Sequence, residues 1–89
     1  MSTVVTTNKR PSADVAFYPT PPEFLAHIND TYVASGRLTI NSNFNPETNS
    51  ATLELVFATE SDKETYFNDP VVVAEKAKKI EYNKANGIV

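Results

Sequence analysis

The sequence predicts a small α+β domain: an antiparallel sheet of three or four strands with helices packed on one face. Two observations support this class. Residues 37–59 contain two stretches of alternating apolar and polar residues joined by a turn-rich loop, which indicates a hairpin with one buried face. Segments with helical apolar spacing lie on both sides of that hairpin, and each needs a surface to cover.

The first strand is predicted at Thr3–Lys9, a stretch rich in β-branched residues. Pro11 ends it. Ser12–Tyr18 also alternates, so it is either a second short strand or an extended link to the next element. We favour the link.

The first helix is predicted to begin at Thr20-Pro21-Pro22-Glu23. Thr20 can cap the helix, and Glu23 completes a capping box. The helix should run to Ala34, because Gly36 is a typical stop. Its apolar face comprises Phe24, Leu25, Ile28 and Tyr32.

The hairpin strands are predicted at Arg37–Phe44 and Ala51–Thr59, with turn formers throughout Asn45–Ser50. Period-two alternation places one set of apolar side chains toward the core. That set comprises Leu38, Ile40, Phe44, Leu53, Leu55 and Phe57.

Two consecutive helices are predicted after the hairpin. Ser61 and Glu64 form a capping box for the first, and Asp69 can cap the second with Pro70 as its first residue. An inward stripe on the second helix is predicted at Val73, Ala77 and Ile80. Residues 87–89 could add a short last strand, so the order is β-α-β-β-α with a possible final β, the ferredoxin-like arrangement.

Length and composition restrict the possible functions. The 89 residues form one domain, 1–89, and the absence of cysteine excludes disulfides, thiolate metal sites and cysteine nucleophiles. The net charge is −3, and the lysines near the end of the chain suit the last turns of a helix, so we expect no nucleic-acid partner. No signal peptide or long apolar stretch is apparent, so we expect a cytoplasmic protein that is neither secreted nor membrane-bound.

The chain resembles the dimeric α/β-barrel proteins of the ferredoxin-like class, which include antibiotic-biosynthesis-type monooxygenases. The resemblance lies in Phe57 ending a strand, Glu60-Ser61-Asp62 opening a helix, and Tyr66-Phe67-Asn68-Asp69-Pro70. It implies dimers formed by packing two sheets face to face and, for some members, oxidation of quinone-like or haem substrates. This sequence departs from that pattern, because it has no tryptophan, a single histidine at His27 and a polar outward sheet face.

The chain also resembles small proteins of bacterial viruses, and as one of these it would lie in the cytoplasm of a host cell. The motifs are Arg10-Pro11-Ser12, Phe24-Leu25-Ala26-His27-Ile28 and the final Tyr82-Asn83-x-x-Asn86-Gly87-Ile88.

No residue pattern indicates a catalytic, cofactor or metal site. Glu60, Asp62 and Glu64 suit a helix start, where negative charge is stabilised, and His27 lies beside the apolar helix face as a boundary residue. The residues that we expect at a pocket or an interface are Phe24, His27, Ile28, Leu55, Phe57, Tyr66 and Tyr82, with Tyr66 and Tyr82 half exposed.

The sequence therefore favours a non-enzymatic domain without a cofactor, which acts by self-association as a homodimer or by binding another protein, for example as a viral accessory or structural protein. The alternative is a small-molecule-binding protein or a cofactor-free monooxygenase-like enzyme. Its pocket would lie between the sheet and the helices.

Overall fold

The computed structural model describes residues 1–89 and contains a three-stranded antiparallel sheet and three helices, which confirms the α+β class. α1 continues without a break into a turn of π-helix, and α2 and α3 meet at Asp69. The elements are β1 (Ser2–Lys9), α1 (Pro22–Ile28), the π-helical turn (Asn29–Val33), β2 (Leu38–Asn45), β3 (Ser50–Phe57), α2 (Glu60–Asn68) and α3 (Pro70–Ala85).

The sheet has the order β1-β3-β2, with β3 antiparallel to both neighbours. β1 and β2 therefore run parallel to each other on either side of β3. Lys9 and Val89 exchange both backbone hydrogen bonds, at 2.8 and 2.9 Å. This is the pattern of one hydrogen-bonded antiparallel pair, so the possible last strand is reduced to a single residue pair beside β1.

The core lies between one face of the sheet and all three helices. Leu38, Leu55 and Phe57 supply the sheet side, and Phe57 is 0% exposed. Ile28 from α1, Tyr32 from the π-helical turn, Tyr66 from α2 and Val72 from α3 complete the cluster. Because residues from every helix meet the same sheet face, the helices pack on one side of the sheet, as the apolar patterns predicted.

Two of the three predicted helix caps are wrong in their details. α1 begins at Pro22 with Pro21 at the cap position and no side-chain cap, so Thr20 does not close the predicted capping box. α2 is capped by Thr59, whose hydroxyl accepts from the Asp62 N–H at 3.0 Å, and not by Ser61. The Asp69 cap on α3 is confirmed, since its Oδ1 accepts from the Val71 N–H at 2.9 Å. The α2 error occurs where two nearby hydroxyl residues can serve as the cap, and at α1 the cap position falls on Pro21, one residue after Thr20.

The predicted inward stripe of α3 is wrong. Val73 and Ile80 are 52% and 57% exposed, and Ala77 is exposed beside them. The side of α3 that faces the sheet begins with Val72 and continues with polar residues, among them buried Glu75. Even this helix, the longest at 16 residues, lacks the length and apolar character needed to cross a membrane.

Candidate functional site

A cleft of about 370 Å³ opens between the core-side face of the sheet, α3 and the segment that precedes α1. We call it the α3 cleft. It lies where the turn end of the β2–β3 hairpin extends beyond the apolar core, so that α3 covers the sheet there with polar side chains. Its lining comprises Asn8, Phe17, Tyr18, Thr20, Ser42, Asn43, Phe44, Ala51, Thr52, Leu53, Lys79 and Asn83.

The segment between β1 and α1 forms one wall of this cleft. It contains no strand, which confirms that Ser12–Tyr18 is a link. Arg10 fixes its path, because the guanidinium donates to the Val15 carbonyl at 3.3 Å and to Asn49 Oδ1 at 3.2 Å. The same guanidinium lies 5.2 and 4.9 Å from the ring centroids of Phe17 and Phe44. These contacts hold an aromatic wall against the end of the sheet.

Phe17 and Phe44 make an edge-to-face pair with centroids 5.9 Å apart. Phe44 is 44% exposed although it projects from the core-side face of β2. It therefore presents part of its ring to the cleft and part to the free edge of the sheet.

Tyr18 connects the wall to α3. Its hydroxyl donates to Glu75 Oε2 at 2.7 Å, and its ring meets Tyr82 edge to face at 5.5 Å. The hydrogen bond to Glu75 raises the pKa of Tyr18, and the partial desolvation of its hydroxyl acts in the same direction. Tyr82 in turn donates to the Ala16 carbonyl at 2.8 Å. Two tyrosines thus tie the link to the helix, and the buried Glu75 carboxylate has a donor.

Lys79 is the one charged residue among those that line the α3 cleft. It is partly buried, and burial lowers the pKa of its ammonium group because desolvation disfavours the charged form. The ion pairs of the chain are His27–Asp69, Arg37–Asp62 and Lys63–Glu60, so Lys79 has no acidic partner. The cleft lining therefore carries one partly desolvated cation without an ion-pair partner, one helical turn from the Glu75 carboxylate.

A second polar cluster centres on Asp69. Its Oδ2 accepts from the Tyr32 hydroxyl at 2.7 Å and lies 2.7 Å from His27 Nε2, while Oδ1 caps α3. The cluster joins α1, the π-helical turn and the start of α3. The π-helical turn supplies Tyr32, and it is recognised by the Ala34 N–H, which bonds to the Asn29 carbonyl five residues back.

Opposing effects set the proton affinities in this cluster. Burial disfavours the Asp69 carboxylate, but hydrogen bonds from His27, Tyr32 and the Val71 N–H outweigh it and lower the pKa of Asp69. Burial and the hydrogen bond to Asp69 raise the pKa of Tyr32 to about 12. The arrangement holds an ionised carboxylate between two donors, as a structural clamp does. No serine, threonine or cysteine belongs to it, and no group of three or more His, Asp and Glu is placed to hold a metal ion.

The seven expected site residues do not form one site. Ile28, Leu55, Phe57 and Tyr66 lie in the core, where they fill the space in which the sequence placed a pocket. Tyr66 is therefore buried and not half exposed, because its ring packs against Phe57 and Tyr32. Phe24 packs at the core margin.

The two remaining residues have separate places. His27 is a boundary residue, with a side chain that is 32% exposed and bonded to Asp69. Tyr82 is half buried beside the α3 cleft. The sequence patterns did not predict the residues that line the α3 cleft as a site. The available signal was the polar spacing of Glu75, Lys79 and Asn83, which repeats at helical intervals opposite the apolar stripe.

Comparison with known proteins returned no relative: no protein-family model, curated protein or solved structure matches this chain. The resemblances to dimeric α/β-barrel proteins and to proteins of bacterial viruses therefore stay predictions. The fold class is α+β, and the features of this chain that could carry a function are the free edge of β2, the α3 cleft and the Asp69 cluster.

Proposed function

We propose that this chain is a non-enzymatic domain that acts by self-association, and that β2 is the strand through which two copies pair. The observation that carries the proposal is the free edge of β2. This eight-residue strand, LTINSNFN, contains no charged residue and no proline, and every residue after Leu38 is exposed. Edge strands are normally protected by charge, proline, bulges or a covering element, because an open edge is a template for another strand.

The hydrogen-bonding pattern identifies which backbone groups are open. The Ala58 N–H donates to the Arg37 carbonyl at 2.9 Å, so odd-numbered residues of β2 bond to β3. Because the pattern alternates along an antiparallel pair, the N–H and C=O groups of Ile40, Ser42 and Phe44 point to the free edge.

The free edge is complementary to itself. If Ser42 lies opposite Ser42 of a second copy, Ile40 lies opposite the partner's Phe44, and the reverse pair forms by symmetry. Both side chains project from the core-side face and are 39% and 44% exposed, so the pairing covers apolar surface. Cross-strand pairs of an aromatic and a β-branched residue stabilise sheets by about 0.2–1 kcal/mol each.

Charge favours the same register. With Ser42 opposite Ser42, Arg37 just before β2 of one copy comes near Glu47 just after β2 of the other copy. No like charges oppose each other along the strand, because β2 has none. A two-fold antiparallel contact of this type is closed, so it produces a dimer with a continuous six-stranded sheet.

Two other surfaces of the sheet are less suited to this contact. The edge of β1 is partly occupied, since Val89 uses both backbone groups of Lys9. On the outward face, Asn41 donates to Glu54 at 3.0 Å and the hydroxyls of Thr7 and Thr52 lie 3.3 Å apart. That face is polar and internally bonded, which argues against dimers formed by packing sheets face to face.

The ferredoxin-like arrangement belongs to the same proposal. It is supported by the helical crossover between parallel β1 and β2 with antiparallel β3 inserted between them, the split β-α-β arrangement. The Lys9–Val89 pair on the other side of β1 supports it further, because a fourth strand would lie at that edge.

Cross-linking tests the contact and its register together. The chain has no cysteine, so Ser42→Cys introduces a single thiol. Opposed residues of a hydrogen-bonded antiparallel pair have Cα atoms about 5.5 Å apart, which is within disulfide range. We expect Ser42→Cys to form a disulfide-linked dimer under mild oxidation, measured by non-reducing electrophoresis.

Thr39→Cys is the matched control, because in this register the two introduced thiols lie six residues apart, about 20 Å along the strand. Light scattering of the unmodified chain should give twice the monomer mass of 9.8 kDa at high micromolar concentration. A mass of 9.8 kDa there, or equal cross-linking at positions 39 and 42, would contradict the proposal.

A further inference from the structure

We infer that the α3 cleft is a binding site for a small organic carboxylate with a flat apolar body, whose anionic group meets Lys79. This inference does not rest on the dimer. It starts from α3, which turns the polar side of the helix toward the sheet and leaves Val73 and Ile80 in solvent. A helix that exposes its apolar side loses apolar burial, and departures of this kind from the sequence pattern are expected at functional sites.

Two charged residues on the sheet-facing side of α3 differ in their partners. The Glu75 carboxylate accepts a hydrogen bond from the Tyr18 hydroxyl at 2.7 Å. Lys79, one turn further along, has no carboxylate partner and is the single charge on the lining. Buried charges in proteins are usually paired, and Lys79 is partly desolvated, so an anionic group bound in the cleft would supply the partner that the chain does not.

The lining also indicates the shape of the ligand. Amide and hydroxyl groups of Asn8, Asn83 and Thr20 line the same cleft as the lysine and can bond a carboxylate there. Phe17 and Phe44 form the aromatic end, and a flat apolar group can stack there. The volume of about 370 Å³ is in the range of small-molecule sites.

A monocarboxylate fits this lining better than a phosphate. One lysine balances one negative charge, whereas a phosphate monoester carries close to two. Phosphate sites in proteins also use arginine forks or clustered backbone N–H groups. The cleft lining contains no arginine and no glycine.

The test is a titration followed by backbone NMR shifts, with indole-3-acetate as the probe and neutral indole-3-acetamide as its matched control. We expect saturable shifts at the lining residues with the carboxylate, and at least about tenfold weaker binding of the amide, because the charge-assisted bond to Lys79 is lost. Benzoate should bind at the same residues.

Two variants locate the anion. Lys79→Met retains most of the aliphatic stem and should weaken the binding of indole-3-acetate at least about tenfold. Lys78→Met removes the same charge from the adjacent exposed position and should leave binding unchanged. Equal binding of acid and amide, unchanged binding by Lys79→Met, or no saturable shift with either carboxylate would overturn the inference. The comparison of acid with amide uses the unmodified chain, so it holds even if a variant fails to fold.

Discussion

Asp69 shows how one side chain can take several structural roles. One carboxylate oxygen caps α3, and the other accepts from Tyr32 and contacts His27. The Asp-Pro pair predicted the cap, because Pro70 needs no hydrogen bond at the first helical position. The other two contacts join residues 37 and 42 positions apart in sequence, so no local pattern could predict them.

Tyr32 makes stability depend on pH at the alkaline end. Its pKa is 10.0 in the unfolded chain and about 12 in the folded one, so the folded state favours the protonated phenol. The associated stabilisation is complete below pH 10 and is lost as the pH rises through 12. We expect the free energy of unfolding, measured by urea denaturation, to fall across this interval.

Tyr32→Phe is the control for this dependence, since it keeps the ring and removes the ionisable group. Its stability should fall less steeply over the same pH interval. Some dependence should remain, because burial also raises the pKa of Tyr66 and the bond to Glu75 raises that of Tyr18. An identical slope in both proteins would show that Tyr32 is not protected from ionisation.

Among the elements, α3 differs most from its sequence pattern. Its apolar residues at positions 73, 77 and 80 form a stripe that would normally face the core, yet the structure turns that stripe outward. The Asp69 cap and the Val72 contact fix the start of the helix, and the tyrosine contacts to the link fix its rotation further along. Helix rotation is thus decided by anchors at both ends and not by the central stripe.

Two substitutions on α3 separate the predicted orientation from the observed one. Ile80→Gln should change the free energy of unfolding by less than about 0.5 kcal/mol, because the side chain is exposed. Val72→Ala should cost about 1.5 kcal/mol, since it removes two buried methyl groups from the core. Thermal or urea unfolding measures both, and the reverse order of effects would restore the sequence-based orientation.

At the scale of the whole molecule, only 9 of 89 residues are buried, so few contacts close the structure. Residues 87–89 make some of these closing contacts. Ile88 is buried, its N–H donates to the Asn83 carbonyl at 2.8 Å, and Val89 pairs with Lys9. This segment joins the end of α3 to the edge of β1 and lies beside the same end of the sheet as the α3 cleft.

Ile88→Ala should therefore destabilise the whole domain and not just this segment. We expect a loss of about 2 kcal/mol or more, as for other buried isoleucines cut back to alanine. Val89→Ala is the matched control, because its side chain is 81% exposed and its backbone pairing is unaffected. Equal stability of the two variants in urea would mean that the segment does not contribute to the core.

Local patterns in the sequence determined the α+β class, the hairpin, the link at Ser12–Tyr18 and the Asp69 cap. Alternation, turn residues and the fixed backbone of proline act over a few positions, so their effect does not depend on contacts with distant parts of the chain. The tertiary structure alone decided which face of α3 points inward, which of several hydroxyls caps a helix, and that β2 keeps an open edge. It also brought Lys79, Phe17 and Phe44, which are far apart in the chain, into the lining of one cleft. These outcomes depend on competition between distant contacts of similar energy, and no single segment carries that information.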